Sequence, residues 1–426
     1  MFQLPRGTRD FTPEEMAKRR YVEKVMRTTF LTFGYKEIQT PTFEHVELFT
    51  EKSGQGIIDE LYTFADKGGR NLTLRPELTA PVIRFYVNQL QMEPKPLKLF
   101  YFGNCFRYDR PQKGRYREFW QAGCELIGTK TPEGQAELIA LAYTLLKDVG
   151  VEKMQGALGN LTVVRALFNH FNLTQEQQQE ILPLIDKQAF DELQSTLENM
   201  GLPDEQTSKL LTLLQTTDIS LLEQALQKDK EALEQLSTTK KILELLSSSF
   251  GITSFTLNMS IVRGLDYYKD MVFEIEAPAL GAEKQLCGGG MYDLVKLFGG
   301  TSLPTAGFAI GFDRTVLTLE TEKYHFPTCP THVYVIPIEE EMIPPALQLT
   351  QQLRQEGFFT DVDLVRRGVG KALKYANTQH IPICILLGPD EQKNNTVCLR
   401  DMNTGKQTTI PQQHIIKELK QHLKHQ

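Results

Sequence analysis

Apolar positions recur at three- and four-residue spacing over Val22, Val25, Met26, Thr29, Phe30 and Phe33 until Gly34 ends the run. That period marks an amphipathic helix with one buried stripe. Its start is equally legible: Thr12 can cap, Pro13 suits the first turn, and Glu15 can close a capping box. Residues 35–40 then read as a strand ended by Pro41. Tyr62/Phe64 and Leu72/Leu74 flank Asp66-Lys67-Gly68-Gly69-Arg70, a turn between two alternating runs, which predicts a hairpin. Residues 99–109 and 116–127 are strand-like and are separated by Pro111-Gln112-Lys113-Gly114, so an antiparallel sheet is expected at the core of this part of the chain.

The pattern changes between about 161 and 249. Stretches rich in Gln, Glu, Leu and Lys, such as 175–185 and 221–246, carry helical period with few aromatics and predict a helical insertion. Strand character returns over 255–275, and 321–330 reads as a linker. Beyond it, strand-like 333–338, helical 345–356, strand-like 360–365, helical 370–378 and the apolar strand 383–387 alternate. Such alternation predicts a separate small α/β domain with a partly parallel sheet. The expected division is therefore a first domain over 1–325, with its insertion at about 161–249, and a second over 331–426.

With 426 residues, 41% hydrophobic and 23% charged, the composition is that of a soluble chain of two or three domains. Neither an apolar run of membrane-spanning length nor a signal peptide is apparent, so the expectation is a cytoplasmic protein with no membrane partner. The six cysteines lack the close spacing of a zinc ribbon or redox motif and read as small buried hydrophobes. A net charge of -6 argues against coating nucleic acid by bulk charge. From His332 onward, 11 Lys and Arg face 10 Asp and Glu, so the terminal domain is the less acidic part and the better candidate for contact with RNA.

Chemistry concentrates in residues 106–125, FRYDRPQKGRYREFWQAGCE. In a strand the two-residue period puts Phe119, Gln121, Gly123 and Glu125 on one face and Trp120, Ala122, Cys124 and Leu126 on the other. An aromatic plate, an amide, a gap and a carboxylate make a sensible ligand floor; a solvated hairpin tip is the plainer alternative. Arg107, Arg110, Lys113, Arg115 and Arg117 surround it, and arginine suits bidentate phosphate recognition. In LRPELTAP (74–81), Glu77 and Thr79 stand two residues apart, although Glu77 also fits a helix-start acid. IVRGLDYYKDMVFEI (261–275) sets Arg263, Asp266, Tyr267 and Tyr268 in an apolar strand context. CGGGMYD (287–293) holds three glycines, for close backbone approach or a tight turn. In GFAIGFDR (307–314), helical spacing would align Gly307, Gly311 and Arg314 on one face, a bare channel ending in a guanidinium.

These motifs resemble a family. FRYDRPQKGRYREFWQAGCE resembles motif 2 of class II aminoacyl-tRNA synthetases, GFAIGFDR resembles motif 3, and GYKEIQTPTF (34–43) looks like motif 1. PRGTRDF, LRPELTAP, RGLDYYKD and CGGGMYD are similar to signature segments of the histidyl-tRNA synthetases. The resemblance runs from Pro5 to about Leu419, broken in the insertion. It implies an α+β fold: a class II antiparallel sheet flanked by helices, the helical insertion, and a C-terminal α/β anticodon-binding domain. It implies activation of L-histidine with ATP to histidyl-adenylate and pyrophosphate, then transfer to the 3' end of tRNA(His), by a homodimer.

By the same resemblance Arg107 would hold the ATP α-phosphate, Phe119 would stack on adenine, and Arg314 would meet the γ-phosphate with Arg115 assisting. Glu77, Thr79, Gln121 and Glu125 would bind the α-amino and carboxylate region of histidine, with Tyr268 and Tyr292 facing its imidazole. Arg263 would stabilise the charge that develops as the carboxylate attacks phosphorus, in the place of one catalytic Mg²⁺. The remaining Mg²⁺ would arrive with ATP, so no metal ligand is assigned to the protein. In the second step the adenylate phosphate would serve as base. Lys269-Asp270 stands where Thr-Gly is common, Met291 where an Arg usually precedes Tyr292, and Trp120 where His is frequent. The alternative of another class is the histidine-binding regulatory subunit of ATP phosphoribosyltransferase, which the presence of Arg263 and of a terminal domain disfavours.

Overall fold

The computed structural model describes residues 2–53, 55–110, 114–262, 268–327 and 331–422. The chain divides into two compact units, Met1–Phe326 and Pro327–Gln426. In chain order the strands of the first unit are β1 (Lys36–Glu37), β2 (Phe43–His45), β3 (Tyr62–Ala65), β4 (Asn71–Leu74), β5 (Leu97–Phe106), β6 (Glu118–Ile127), β7 (Gln155–Asn160), β8 (Phe255–Leu257), β9 (Tyr268–Glu276), β10 (Gln285–Tyr292) and β11 (Thr305–Gly311). Eight form one sheet in the order β1-β5-β6-β11-β10-β9-β7-β8, and β2, β4 and β3 form a small one. Among the described residues of the large sheet, the β1–β5 and β7–β8 pairs are parallel and the others antiparallel.

One face of the large sheet is closed by helices. The helix Pro13–Thr32 carries the capping box its sequence predicts, with the Glu15 N–H donating to Thr12 Oγ1 and the Thr12 N–H to Glu15 Oε2. Its buried Val22, Met26 and Phe30, together with the helix Pro132–Asp148, meet Phe100, Ala122, Cys124, Leu126, Phe273, Phe308 and Ile310 from the strands. Phe30 stacks on Phe100 at 4.6 Å between ring centroids. Each such side chain contributes roughly 1.5–3 kcal/mol through burial. This face is core, which leaves the opposite face for a ligand.

The insertion consists of helices from Leu161–His170 to Lys230–Ser248 around their own cluster, including Phe168, Ile181, Leu193, Leu210 and Leu236. In the second unit β12 (Val333–Pro337), β13 (Thr360–Val362), β14 (Ile383–Leu387), β15 (Thr396–Asp401) and β16 (Gln407–Pro411) form a sheet in the order β13-β12-β14-β15-β16. β12 runs parallel to β13 and β14, and the other pairs are antiparallel. Leu349 and Leu353 pack on one side of it, Ala372 and Ala376 on the other.

Four expectations need correction. The strand at 35–40 shrinks to Lys36–Glu37; beyond it the chain is held by the buried Arg75, which donates to the carbonyls of Thr40 and Pro41 at 2.8 and 3.1 Å. The strand at 360–365 stops at Val362, where Asp363 turns aside to accept from the Tyr334 hydroxyl at 2.9 Å. Residues 321–326 are no linker: Tyr324 and Phe326 pack against Tyr21 within the first unit. GFAIGFDR is not one helix, since residues 307–311 finish β11 and the helix Phe312–Thr321 begins after them.

Candidate active site

Strand parity carries the floor predicted on β6 across its neighbours. Gly123 lies opposite Tyr101 on β5 and Ala309 on β11, and Ala309 lies opposite Gly288 on β10. The next row runs Glu125, Gly307, Gly290, and the one beyond it ends in Tyr292 and Tyr268. In the other direction Gln121 pairs with Gly103 and Gly311. The strand from Thr305 to Gly311 measures about 20 Å at the ordinary rise per residue, so the bare strip is long enough for an extended ligand. Gly307 and Gly311 do share a face, but because four is a multiple of the strand period, not because they are helical. The triple glycine likewise belongs to a strand and forms no turn.

Two of these glycines are required by close approach. A Cβ on Gly307 would overlap the Glu125 carboxylate and stand 2.6 Å from the Cys124 carbonyl oxygen. One on Gly123 would stand 2.5 Å from the Phe308 carbonyl oxygen and 2.6 Å from the Tyr101 hydroxyl. The missing side chains thus make room for a carboxylate and a phenol laid over the sheet.

Glu125 is fully buried. Tyr101 donates to its Oε1 at 3.1 Å and the Tyr292 hydroxyl to its Oε2. Burial pushes its carboxyl up to about 8, against the opposing pull of the Tyr292, Thr79 and Tyr101 hydroxyls. Burial, reinforced by Glu125, also drives the Tyr101 and Tyr292 phenols well above their usual range. A carboxyl poised this way can give or accept a proton in a hydrogen bond, which suits a ring bearing one N–H and one bare nitrogen. Tyr268 stands 6.2 Å from Tyr292 between ring centroids. Glu77 is indeed a helix-start acid: it accepts from the N–H groups of Thr79 and Ala80 at 2.6 and 3.1 Å. It also pairs with the buried Lys52 at 3.3 Å. Gln121 Oε1 lies 3.3 Å from Cys105 Sγ.

At the far end the arginines gather. Arg107 donates through Nε to the Pro76 carbonyl at 3.0 Å, with its guanidinium 5.2 Å from the Phe119 ring centroid. Arg115 pairs with Asp109 at 2.5 Å and is half exposed. Arg314, in the first turn of its helix, reaches the carbonyls of Gly114 and Gln285 at 3.2 and 3.0 Å. Guanidinium groups presented on turns in this way suit the oxygens of a phosphate chain. Arg263, Asp266, Tyr267 and Lys113 lie outside the described residues.

Sequence reasoning missed Tyr101, Lys52 and Asp313. Tyr101 had a signal, an aromatic alternating with Gly103 opposite Gln121 and Gly123. Lys52 had none, being brought to Glu77 by the fold alone. Met291 lies in the core, on the opposite side of β10 from Tyr292, so its departure from the motif leaves the floor unchanged. Trp120 packs on Phe102, also on the core side. Asp270 adopts φ +46, the region glycine favours, and accepts from the Thr162 hydroxyl at 2.8 Å.

The family model for Histidyl-tRNA synthetase matches residues 7–315, and that for Anticodon binding domain matches 332–422. The histidine–tRNA ligase of Methanosarcina acetivorans is 45% identical over 418 residues, covering 97% of this chain and 98% of that protein. Among solved structures, the apo histidyl-tRNA synthetase of S. aureus superposes with a TM-score of 0.73 at 28% identity, covering 98% of this chain and 100% of its own. The histidyl-tRNA synthetase of Nostoc sp. PCC 7120 gives 0.85 at 23% identity over 99% of both, a likeness of fold.

Proposed function

The chain belongs to the histidyl-tRNA synthetase family, and from that membership we propose how its floor, tyrosines and arginines divide the family's reaction. It is an aminoacyl-tRNA ligase: histidine and ATP give histidyl-adenylate and pyrophosphate, and the histidyl group then passes to tRNA. The terminal domain and the full-length ligase relatives favour this activity over the regulatory-subunit alternative.

Adenine stacks on Phe119, Arg107 holds the α-phosphate, and Arg314 with Arg115 holds the γ-phosphate. Histidine lies at the opposite end, its α-ammonium toward Glu77, Thr79 and Gln121. Glu125, expected at the α-amino end, joins Tyr268 and Tyr292 around the imidazole, because it is bonded to Tyr292 and shares its buried surroundings. The carboxylate then faces the α-phosphorus across the bare strip. It attacks in line, pyrophosphate leaves, and Arg263 meets the developing charge. In the second step the terminal ribose hydroxyl attacks the adenylate carbonyl, giving its proton to the departing phosphate. Mg²⁺, when bound, would supply charge neutralisation on the phosphates, and Glu274, at the edge of the floor opposite Gly288, would offer it a hard oxygen donor.

The observation that carries this reading is a buried carboxyl–tyrosine cluster and a set of arginines at opposite ends of one glycine floor. Histidine alone, among the twenty amino acids, should support ATP/pyrophosphate exchange; exchange with another amino acid, or with none, overturns it. A homodimer in the cytoplasm is proposed, built around the short edge strand β1 and the helix Pro13–Thr32, whose Leu31 is exposed. A monomer in sedimentation at micromolar concentration would refute the dimer. In the terminal domain the exposed Lys371 and Lys374 and the exposed apolar Leu364 and Val365 are the proposed contacts for the tRNA anticodon. Arg367 is instead tied inward, to Asp363 at 2.5 Å and over the Tyr375 ring.

A further inference from the structure

We propose that residues 5–11 form a strap that positions the motif 2 loop for ATP, with Arg9 as the positioning residue; this rests on the assignment of that loop to the nucleotide. The segment holds one turn, closed by the Thr8 N–H to the Pro5 carbonyl at 3.1 Å, and is otherwise irregular. Its contacts are specific. The Gly7 carbonyl accepts from the Arg117 N–H at 2.9 Å. The Arg117 side chain lies so close over Gly7 that a Cβ there would stand 2.7 Å from it, and Gly7 takes φ +87. The Arg9 guanidinium lies 3.4 Å from the Tyr116 ring centroid and bonds Asp313 Oδ1 at 2.6 Å.

Asp313 is a buried hub. Its Oδ1 also takes Arg19 at 2.6 Å, and its Oδ2 accepts the Trp120 N–H at 2.7 Å. It directly precedes Arg314, which holds the Gly114 carbonyl. The limb of the loop returning to β6 is therefore fastened at Gly114 by Arg314, at Tyr116 by Arg9 and at Arg117 by Gly7. Arg115 stands among these anchors with its backbone set on both sides and its guanidinium accessible. Arg19 is the more buried of the two arginines on Asp313, with 7% of its side chain exposed against 31% for Arg9. Asp313 thus keeps Arg19 and the Trp120 amide when Arg9 is removed. What Arg9 alone provides is the stack on Tyr116, so its loss should loosen the loop without opening the core.

The test is Arg9→Met in the full-length protein, read by ATP/pyrophosphate exchange, by calorimetric titration of histidine without ATP, and by thermal melting. KM for ATP should rise about tenfold, the scale of a partly desolvated cation–π contact. The turnover number should fall less, histidine affinity should stay within about twofold, and the melting temperature should stay nearly unchanged. Tyr116→Leu should reproduce the shift, and Arg9→Lys should recover part of it. An unchanged KM for ATP in Arg9→Met overturns the strap. So does an equal loss of histidine affinity with a lowered melting temperature, which would make the segment a support of the whole fold. Arg115→Ala separates the two readings. If it leaves KM for ATP unmoved, the loop assignment fails and the strap's role falls with it; if it raises KM while Arg9→Met does not, only the strap is refuted.

Discussion

At one end of the glycine floor Glu125, Tyr101 and Tyr292 are buried and bonded to one another, whereas at the other Arg107, Arg115 and Arg314 hold carbonyl oxygens and the partly exposed Asp109. Under the proposed assignment of histidine to the first end and of the triphosphate to the second, the difference follows what each end would recognise. A small neutral ring offers two hydrogen-bonding atoms, and a dry pocket already built around such groups penalises any ligand that leaves them unpaired. A triphosphate offers many charged oxygens, which can displace carbonyl partners from guanidinium groups without prior burial. The first end is preassembled; the second, on that proposal, would be completed by its ligand.

The largest effect expected from this contrast is at Gly307. Gly307→Ala drives a methyl into Glu125 and toward the Cys124 carbonyl, neither of which can move freely. Histidine-dependent exchange should drop by about a thousandfold or more, with a loss of stability on the order of 1–3 kcal/mol in thermal or urea melts. Gly288→Ala meets only the end of the flexible Gln285 amide, at 3.0 Å, and should cost less than about tenfold. Comparable activities in the two variants would mean that the buried end is not rigid.

At the open end, Arg314→Ala should lower kcat/KM for ATP by roughly 10²–10³ while histidine titrations without ATP stay the same. A parallel loss of histidine affinity would show that the two ends are not separable.

Tyr292→Phe removes one hydroxyl from Glu125 and should weaken histidine about tenfold, with KM for ATP unaffected. The carboxyl also gives a pH signature. Its folded value of about 8 lies above the ordinary 4.5, so folding takes up a proton. Its stabilising contribution is therefore complete below about pH 4.5 and is lost as the pH climbs through 8, an effect of a few kcal/mol at most. Melting temperatures of the wild type relative to Glu125→Gln should fall between about pH 4.5 and 8 and level off above it. A flat difference would place the titration elsewhere.

The smallest expected effect concerns the bulged strand beside Tyr268. Asp270→Gly relieves a left-handed backbone but leaves the Thr162 hydroxyl without its acceptor. The two changes, each about 1 kcal/mol or less, should nearly cancel, moving the melting temperature by under about 2 °C. A larger shift in either direction would tie the rigid end to this local strain.

Features set by near neighbours along the chain were legible. The helix from Pro13 needed only its stripe and capping residues, and the β6 floor needed only the two-residue period. Of the residues aligned in GFAIGFDR, Gly307 and Gly311 do share a face, though in a strand, while Arg314 belongs to the helix that follows. Where reading failed, a distant partner had intervened. Arg75 holds the carbonyl of Thr40 where strand was expected to continue, and Tyr334 draws Asp363 out of another.

Periodicity, caps and motif spacing thus determine which residues of this chain face the core and which face the other side of the sheet, because those depend on backbone geometry within a few residues. They also place Glu125 and Phe119 on a floor. Which groups surround them is a matter of tertiary structure. Lys52 reaches Glu77, Tyr101 lies over Gly123, and Arg9 and Arg19 meet at Asp313 only when strands and segments far apart in sequence pack together. The same packing excludes water from Glu125 and raises its carboxyl, since desolvation belongs to the assembled interior and to no local stretch of chain.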